Sequence, residues 1–499
     1  MGLRRLSGIE LPLFACVLSC VDPAPLQLEI VDPCNQAALR DAERITVVAR
    51  ELDTGETWTA TLDADSGSGE LPEIPVGAKV EFDVELSKEG EVYAWAIAKP
   101  FDMTVDNPIV PQVQPSRIGA FTKPHAPGEP GLCAGYQSPR AGAKLLPLVN
   151  GDILHLGGYE LSDGTSSYNR GIERWSSRDN SLEEVANLNF PRVDDVATRL
   201  GDGTWILTGG RFEATQAATG ASETSHFALA LHISPAGEVD DTPGVLEAGR
   251  SGHVALGLSD GRVWLLGGRG QAGALTQTEI YNPSTKLSEP GPTLSVGRWN
   301  AGLVTLPDDT ALLIGGENDS GVLDTIEVVK LGDASGSISP LTLSEARTRP
   351  AVVQHDDTFW VLGGGTLAGD DFNRGQGSAA IDGFERGGSG FQRLCGDTGL
   401  SLAKGRFLGT LLSDQNQAYL AGGYDENGVL LKGLVSVSFA DLRNCTPEQG
   451  QEVVELGQAR AFMGATILDS GLMVFGGGQS RDNGAASSSS LVEIYRSAR

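Results

Sequence analysis

The sequence predicts an all-β protein, with a small antiparallel β-sandwich followed by seven repeats of an antiparallel sheet. An apolar segment ending in a glycine pair recurs seven times after residue 136, and successive pairs begin 48 to 59 residues apart. Before residue 116, apolar and polar residues alternate with a period of two, which is typical of half-buried strands. Glycine is abundant, with 66 residues in 499, roughly double the usual share of about 7%. Such a content fits many tight turns and closely packed strands.

Two features recur at nearly constant positions in the repeats. An arginine precedes each glycine pair by 16 or 17 residues, and a turn rich in Asn, Asp and Gly separates two apolar strands between them. A third strand follows in several repeats, as in Glu173-Arg174-Trp175, Glu279-Ile280-Tyr281 and Glu493-Ile494-Tyr495. The arginines are Arg140, Arg192, Arg250, Arg298, Arg347, Arg406 and Arg460. The glycine pairs are Gly157 and Gly158, Gly209 and Gly210, Gly267 and Gly268, Gly315 and Gly316, Gly363 and Gly364, Gly422 and Gly423, and Gly476 and Gly477.

This pattern of an arginine, two apolar strands, a glycine pair and Glu-x-aromatic resembles the kelch family. The resemblance implies that residues 136–499 form a seven-bladed kelch-type β-propeller with four antiparallel strands in each blade. The propeller is similar to that of galactose oxidase, without its copper-site motif. Because the arginines recur in every repeat, we interpret them as structural bonds to the blade framework, since a ligand site usually breaks the symmetry.

The last repeat is too short to supply its own outer strand. Only 40 residues run from Arg460 to the C-terminus, whereas the earlier repeats have 48 to 59. We therefore expect residues 116–135 to act as a linker and to provide the missing strand. Closing the ring in this way would remove open sheet edges that invite aggregation.

The N-terminus is typical of an export signal. Arg4 and Arg5 precede a short apolar stretch, and the run Val17-Leu18-Ser19-Cys20 resembles a bacterial lipobox. This resemblance implies a lipoprotein signal peptide over residues 1–20, lipidation of Cys20, and anchoring to the outer membrane or cell surface. Leu13-Phe14-Ala15-Cys16 is a second, poorer match. Residues 21–115 would then form the sandwich, which resembles immunoglobulin-like or transthyretin-like modules.

Four cysteines remain if Cys20 carries lipid, and they can pair in three ways. Cys395 and Cys445 occupy similar late positions in consecutive repeats, which favours a bond between them. Cys34 and Cys133 would then tie the sandwich to the propeller. Four unpaired thiols are the alternative.

Composition and motifs limit the classes of function that the sequence supports. The formal net charge of −28 disfavours nucleic-acid binding. The chain has no Tyr-His dipeptide, P-loop, GxSxG or HExxH motif, so no catalytic residue, metal or cofactor is expected and the protein is predicted not to be an enzyme. The preferred hypothesis is a monomeric, surface-anchored binding or adhesion module that recognises a protein or glycan. The alternatives are a structural envelope protein and a carbohydrate-active or oxidase-type propeller enzyme.

The partner site is predicted on one face of the propeller. Segments after the glycine pairs are long and differ between repeats, whereas the turns between the first two strands are uniformly short. Variable loops on a rigid scaffold are where recognition residues usually lie. Flexible Gly/Ser-rich connectors are the alternative interpretation. The entrance candidates, each directly after its glycine pair, are Tyr159, Arg211, Arg269, Glu317 and Tyr424.

Overall fold

The structure is a computed structural model. It describes residues 29–30, 41–64, 74–75, 77–102, 112–113, 116–126, 129–162, 165–177, 180–215, 222–240, 242–366, 376–387, 390–396, 400–446, 448–482 and 485–497. The predicted signal peptide with Cys20, and also Cys34, lie outside these residues. Strands make up most of the described chain, and none of its helices is long and apolar enough to cross a membrane.

The N-terminal region is organised around one five-stranded antiparallel sheet. Its strand order is β3-β2-β4-β5-β7, and residues that alternate along the strands, such as Val80, Phe82 and Val84, are fully buried on one face. Its strands and the short ones around them are β1 (Glu29–Ile30), β2 (Arg44–Glu51), β3 (Thr57–Asp63), β4 (Lys79–Lys88), β5 (Glu91–Asp102), β6 (Gln112–Val113), β7 (Ser116–Arg117), β8 (Phe121–Thr122), β9 (His125–Ala126) and β10 (Glu129–Cys133). A separate two-stranded parallel sheet, β1–β6, also belongs to the described residues of this region.

The first four repeats each contribute four antiparallel strands, with a two-stranded hairpin between the second and third. Repeat 1 has β11 (Lys144–Pro147), β12 (Ile153–Leu156), hairpin β13 (Tyr159–Ser162) and β14 (Thr165–Tyr168), β15 (Gly171–Trp175) and β16 (Leu182–Asn187). Repeat 2 has β17 (Val196–Arg199), β18 (Trp205–Thr208), hairpin β19 (Arg211–Thr215) and β20 (Ser222–His226), β21 (Leu229–Ile233) and β22 (Gly244–Val245). Repeat 3 has β23 (Val254–Gly257), β24 (Val263–Leu266), hairpin β25 (Arg269–Gly270) and β26 (Gly273–Ala274), β27 (Thr278–Asn282) and β28 (Leu287–Pro290). Repeat 4 has β29 (Gly302–Leu306), β30 (Thr310–Ile314), hairpin β31 (Glu317–Asn318) and β32 (Gly321–Val322), β33 (Thr325–Lys330) and β34 (Ser337–Thr342). The outer strands of repeats 2 and 3, β22 and β28, pair in parallel, so these two repeats share one eight-stranded sheet.

The last three repeats vary this plan. Repeat 5 has β35 (Ala351–His355), β36 (Thr358–Leu362) and β37 (Ala380–Gly387), whose outer side pairs with both β38 (Gly390–Leu394) and β39 (Leu400–Leu402). Repeat 6 has β40 (Thr410–Ser413), β41 (Gln417–Ala421), β42 (Gly433–Ser438), the helix α1 (Phe439–Arg443), β43 (Glu448–Gln449), which pairs with β39, and β44 (Gln451–Glu455). Repeat 7 has β45 (Gly464–Ile467), β46 (Leu472–Gly476), hairpin β47 (Gln479–Asp482) and β48 (Ala485–Ser488), and β49 (Val492–Arg496). The fourth strand of its sheet is β8, where Phe121 pairs with Tyr495.

Backbone hydrogen bonds connect each repeat to the next. The N–H of the second glycine in each repeat donates to the carbonyl of the repeated arginine one repeat further on, at 2.8 to 3.1 Å. The bond from Gly478 to the Arg140 carbonyl joins the last repeat to the first, so these bonds form a closed circle. The donor and acceptor pairs are Gly158 with Arg192, Gly210 with Arg250, Gly268 with Arg298, Gly316 with Arg347, Gly364 with Arg406, Gly423 with Arg460, and Gly478 with Arg140.

In the last repeat, the two glycines that take part in this circle of bonds differ from the predicted pair. Gly477 and Gly478, with φ of 63° and 109°, take the place of the expected Gly476 and Gly477, and Gly476 lies in β46. Arg460 donates to the carbonyl of Gly477, 17 residues later. Three consecutive glycines all tolerate positive φ, so the sequence could not show which two adopt it.

A disulfide bond links Cys395 to Cys445, with the two Cα atoms 5.4 Å apart. It joins the end of β38 in repeat 5 to the segment after α1 in repeat 6. Cys133 is also disulfide-bonded. Its expected partner, Cys34, lies outside the described residues.

Candidate functional site

A ring of seven residues with positive φ surrounds the centre of the repeats. Each lies two positions after a repeated arginine, and backbone hydrogen bonds of 2.7 to 2.9 Å connect five successive pairs around the ring. Residues other than glycine are uncommon in this conformation, and held there they often mark functional sites. We call this set the axial ring: Gly142, Asp194, Gly252, Asn300, Arg349, Leu408 and Phe462.

An ion pair crosses the axial ring. Nη2 of Arg349, in repeat 5, donates to Asp194 in repeat 2 at 3.0 Å. Arg211 donates through Nε to the other oxygen of Asp194 at 2.9 Å. Burial alone would raise the pKa of Asp194, but the two guanidinium groups hold it well below its usual range. Asp194 therefore stays ionised and fixes two arginines at the centre of the molecule.

A second network joins two aromatic residues beside the ring. Nε2 of Gln479 donates to the hydroxyl of Tyr159 at 2.6 Å, and the hydroxyl of Tyr424 donates to Oε1 of Gln479 at 3.2 Å. All three side chains are buried. Burial raises the pKa of Tyr159, so it remains a neutral phenol. The Tyr159 ring also lies near Phe462 of the axial ring, with centroids 6.3 Å apart.

Glu317 belongs to the same central cluster. Its carboxylate accepts from Nδ2 of Asn300 at 2.8 Å and from the hydroxyl of Thr348 at 2.9 Å. Beside it, the guanidinium of Arg269 lies 5.1 Å from the ring centre of Trp299. The region around the axial ring thus combines aromatic rings with fixed charged groups.

Two-stranded hairpins rise around this centre. They are the pairs β13–β14, β19–β20, β25–β26, β31–β32 and β47–β48, and each follows a glycine pair. In these five repeats the described segments after the glycines are hydrogen-bonded ladders, whereas in repeat 6 Tyr424 and Leu430 form an isolated bridge. Most of the expected Thr366–Gly377 loop lies outside the described residues. We call the side of the molecule that carries these hairpins the hairpin face.

The structure places the predicted entrance residues deeper than the sequence indicated. Tyr159, Arg211, Glu317 and Tyr424 are buried, and Arg269 is half-buried. Each of the five forms a β-bridge with the residue that follows a repeated arginine, which directs it towards the centre. The four buried residues therefore lie beneath the hairpin face. Arg349 and Phe462 of the axial ring are half-buried and reach the surface of that face. Sequence reasoning missed these two, although the residue type at their position, two after a repeated arginine, differs between most repeats.

The repeated arginines have a common set of partners. Nη1 of Arg250 donates to the carbonyls of Gly267 and Gln277, and Nη2 donates to Glu279 on the third strand. Equivalent acids serve five of the seven arginines: Glu173, Glu279, Glu327, Asp382 and Glu493. At the matching register, repeats 2 and 6 have Leu231 and Val435 instead.

The described histidines bond to other side chains or to the backbone and do not come together at the axial ring. Nδ1 of His155 lies 2.6 Å from the Tyr136 hydroxyl, and Nε2 of His253 lies 2.8 Å from the hydroxyl of Thr208. Burial lowers the pKa of His155 to about 3. Within the part of the chain that the structure describes, no three His, Cys, Asp or Glu side chains are grouped to hold a metal ion.

Comparison with solved structures shows the fold. A fungal alcohol oxidase of the AA5 family, solved in complex with copper, aligns with a TM-score of 0.54 and 13% identity over 76% of each chain. YjhT aligns over 62% of this chain and 97% of its own, with a TM-score of 0.45 and 14% identity. No protein-family model matches the sequence, and no curated protein matches it.

The prediction that the protein is not an enzyme is corrected by this comparison. The fold that it shares at a TM-score of 0.54 is that of an alcohol oxidase. Missing linear motifs did not exclude catalysis, because propeller sites are assembled from residues distant in sequence. Asp194 and Arg349, which are 155 positions apart, show how far apart such residues can be. The chain has a kelch-type, β-propeller-like fold of the kind found in galactose and alcohol oxidases.

Proposed function

We propose that the protein binds a glycan through the hairpin face. The observation that carries the proposal is the Arg349–Asp194 pair, which crosses the axial ring and breaks the symmetry of the repeats. A site that recognises one ligand needs such unique groups, whereas the repeated residues serve the scaffold.

The accessible groups suit a hydroxylated ligand. Phe462 offers a half-buried ring, and the Arg349 guanidinium carbon lies 5.4 Å from the centre of that ring. Arg269 is also half-buried, and its guanidinium lies against the ring of Trp299. Aromatic surface beside a few fixed polar groups supports sugar binding, since a sugar ring has an apolar C–H face and hydroxyls at its edge.

The wider arrangement belongs to the same proposal. The recurring antiparallel strands of the seven repeats and the circle of glycine–arginine bonds support a ring of seven blades preceded by a sandwich-type domain. We place this molecule at the bacterial surface as an exported, monomeric protein anchored by a lipid on Cys20. A Cys20→Ala variant should then leave the membrane fraction. Retention of that variant in membranes would refute the anchor.

The binding proposal is tested on a glycan array with the purified full chain. We expect saturable binding of at least one glycan, lost in Arg349→Gln and Phe462→Ala and kept in Asp260→Asn and Asp308→Asn, which lie in the short turns of the opposite face. Binding lost only in the second pair would put the site on the wrong face, and no glycan binding at all would refute the proposal. Mass spectrometry of the bound glycan also shows whether it is chemically changed.

A further inference from the structure

A cavity of about 270 Å³ lies at the seam between repeats 4 and 5, away from the hairpins and the axial ring. It opens where β37 changes its outer partner. Gly383–Gly387 pair with β38, whereas Ala380 and Ile381 pair with β39. The divergence of these two strands leaves the space between them unfilled. The lining residues are Thr342, Leu343, Ser344, Ile381, Asp382, Gly383, Arg393, Leu394, Cys395, Gly396 and Leu400.

The buried acid of repeat 5 serves two arginines, whereas the buried arginines of repeats 2 and 6 have no acid on the third strand. Asp382 accepts from both Arg347 and Arg393, so two guanidinium groups share one carboxylate. Glu173, Glu279, Glu327 and Glu493 each pair with a single arginine. The nearby Glu345 is exposed and accepts from the hydroxyl of Ser378, so solvent weakens its effect. Among the described residues, two arginines therefore share one buried acid beside the cavity, with Glu345 as a second, solvent-exposed acid near Arg347.

The residues around Asp382 determine the shape of the cavity. Asp382 is one methylene shorter than the glutamates of the other repeats. Gly383 lies flat against the Trp360 ring, which leaves no space there for a larger side chain. Ser344 donates to Asp382 from its backbone N–H and from its hydroxyl, each at 3.0 Å. Arg393 has 20% of its side chain exposed, and Thr342 and Ser344 are exposed beside it.

We propose that this cavity binds a small anion that carries a carboxylate, phosphate or sulfate group. Arg393 supplies the charge and its planar set of donors, which match the oxygens of such groups. Ser344 already donates its hydroxyl to Asp382, and Arg393 also donates to the carbonyl of Thr342, so the remaining N–H groups of Arg393 are the donors left for the ligand. A small anion fits the volume, and it would offset the charge of the second arginine.

A nearby groove provides a matched control. It has a volume of about 470 Å³, lies between repeats 3 and 4, and contains Arg262. There the arginine is paired with two acids, Asp260 and Glu289, at 2.8 Å each. An arginine in a cavity without excess positive charge should not attract an anion.

The test is calorimetric titration of the full chain with inorganic phosphate, sulfate and acetate at low ionic strength. We expect saturable binding of at least one of them, weakened roughly tenfold or more in Arg393→Gln, because a charge-assisted hydrogen bond contributes about 1.5–3 kcal/mol. Arg393→Lys keeps the charge and should retain most of the binding, and Arg262→Gln should bind as the wild type does. Asp382→Glu, which extends the acid into the cavity, should also weaken binding.

Two results would overturn the proposal. One is the absence of saturable binding of all three anions by the wild type. The other is equal binding by wild type and Arg393→Gln, with both proteins folded by circular dichroism. Neither result bears on the hairpin face, because the two sites share no residue.

Discussion

Tyr136 and His155 are two polar residues at positions that are apolar in every other repeat. Tyr136 stands where the others have the buried leucines Leu188, Leu246, Leu294, Leu343, Leu402 and Leu456. His155 stands at the register of Leu207, Leu265, Leu313, Val361, Leu420 and Phe475. The two replacements contact each other, so each supplies the hydrogen bond that the other needs in the core.

This buried histidine predicts sensitivity to acid. The pKa of His155 is about 3 in the folded protein and 6.5 in the unfolded chain, so between these values the unfolded chain binds one more proton. Stability is then fully present above pH 6.5 and falls as pH decreases, by about 1.4 kcal/mol per pH unit. A Tyr136→Leu/His155→Leu variant should lose less stability between pH 6 and pH 4 in urea denaturation. An unchanged dependence on pH would contradict this account.

The arginine–glutamate pairs predict a difference between buried and exposed acids. Glu279 is buried and accepts from Arg250 and from two backbone N–H groups, whereas Glu289 is 63% exposed beside Arg262. Glu279→Gln leaves a buried guanidinium without its charge partner and should cost about 3–5 kcal/mol. Glu289→Gln should cost no more than about 1 kcal/mol. Urea denaturation of both variants at pH 7 checks this, and equal losses would show that the buried pair is not structural.

At the scale of elements, the strands and turns could be predicted because each has a local cause. Alternation of apolar residues predicts the strands, and Asn-Gly or Asp-Gly pairs predict the turns between them. The hairpins after the glycines could not be predicted in this way. Ser487 and Ser488, for example, have the composition of a linker, yet they pair with Ser480 and Gln479 in β47–β48. Their partners and their packing against neighbouring repeats, rather than their own propensity, order them.

The glycine that ends each inner strand has a role beyond its positive φ. Gly209 has a φ of 61° and lies against the Arg250 carbonyl of the next repeat, so a Cβ would collide with backbone. Gly261 has a φ of 85° with open space around it. Gly209→Ala should therefore lower the thermal midpoint of unfolding clearly more than Gly261→Ala. In Gly261→Ala the only destabilisation comes from placing alanine at positive φ, which costs about 1 kcal/mol. Similar losses in both variants would mean that the close approach between repeats contributes nothing.

The disulfide between repeats 5 and 6 predicts a further element-scale effect. It closes a segment with a sequence separation of 50. Constraining an unfolded segment of that length stabilises a protein by about 2–4 kcal/mol. Cys395→Ser/Cys445→Ser should lose stability of that order in urea denaturation under oxidising conditions. A reducing agent should not destabilise this variant further through that bond.

At the scale of the whole molecule, the repeat spacing predicted an architecture, but the site had to be seen in three dimensions. The sequence pattern shows which residues are equivalent and therefore structural. It does not show which unequal residues meet at the centre, because Asp194 and Arg349 come from repeats that are not neighbours along the chain. The contacts of Arg393 were hidden as well, because Arg347 precedes β35, whereas Asp382 and Arg393 lie on β37 and β38.

The most direct test of the central claim is hydrogen–deuterium exchange of the full chain with and without a glycan selected on the array. The account predicts slower exchange in bound protein for Tyr159–Tyr168, Arg269–Ala274 and the axial ring around Arg349, with no change in the opposite turns at Asn150–Gly151 and Asp260–Gly261. Protection confined to those turns, or to the N-terminal sheet, would contradict the assignment of the hairpin face as the binding site.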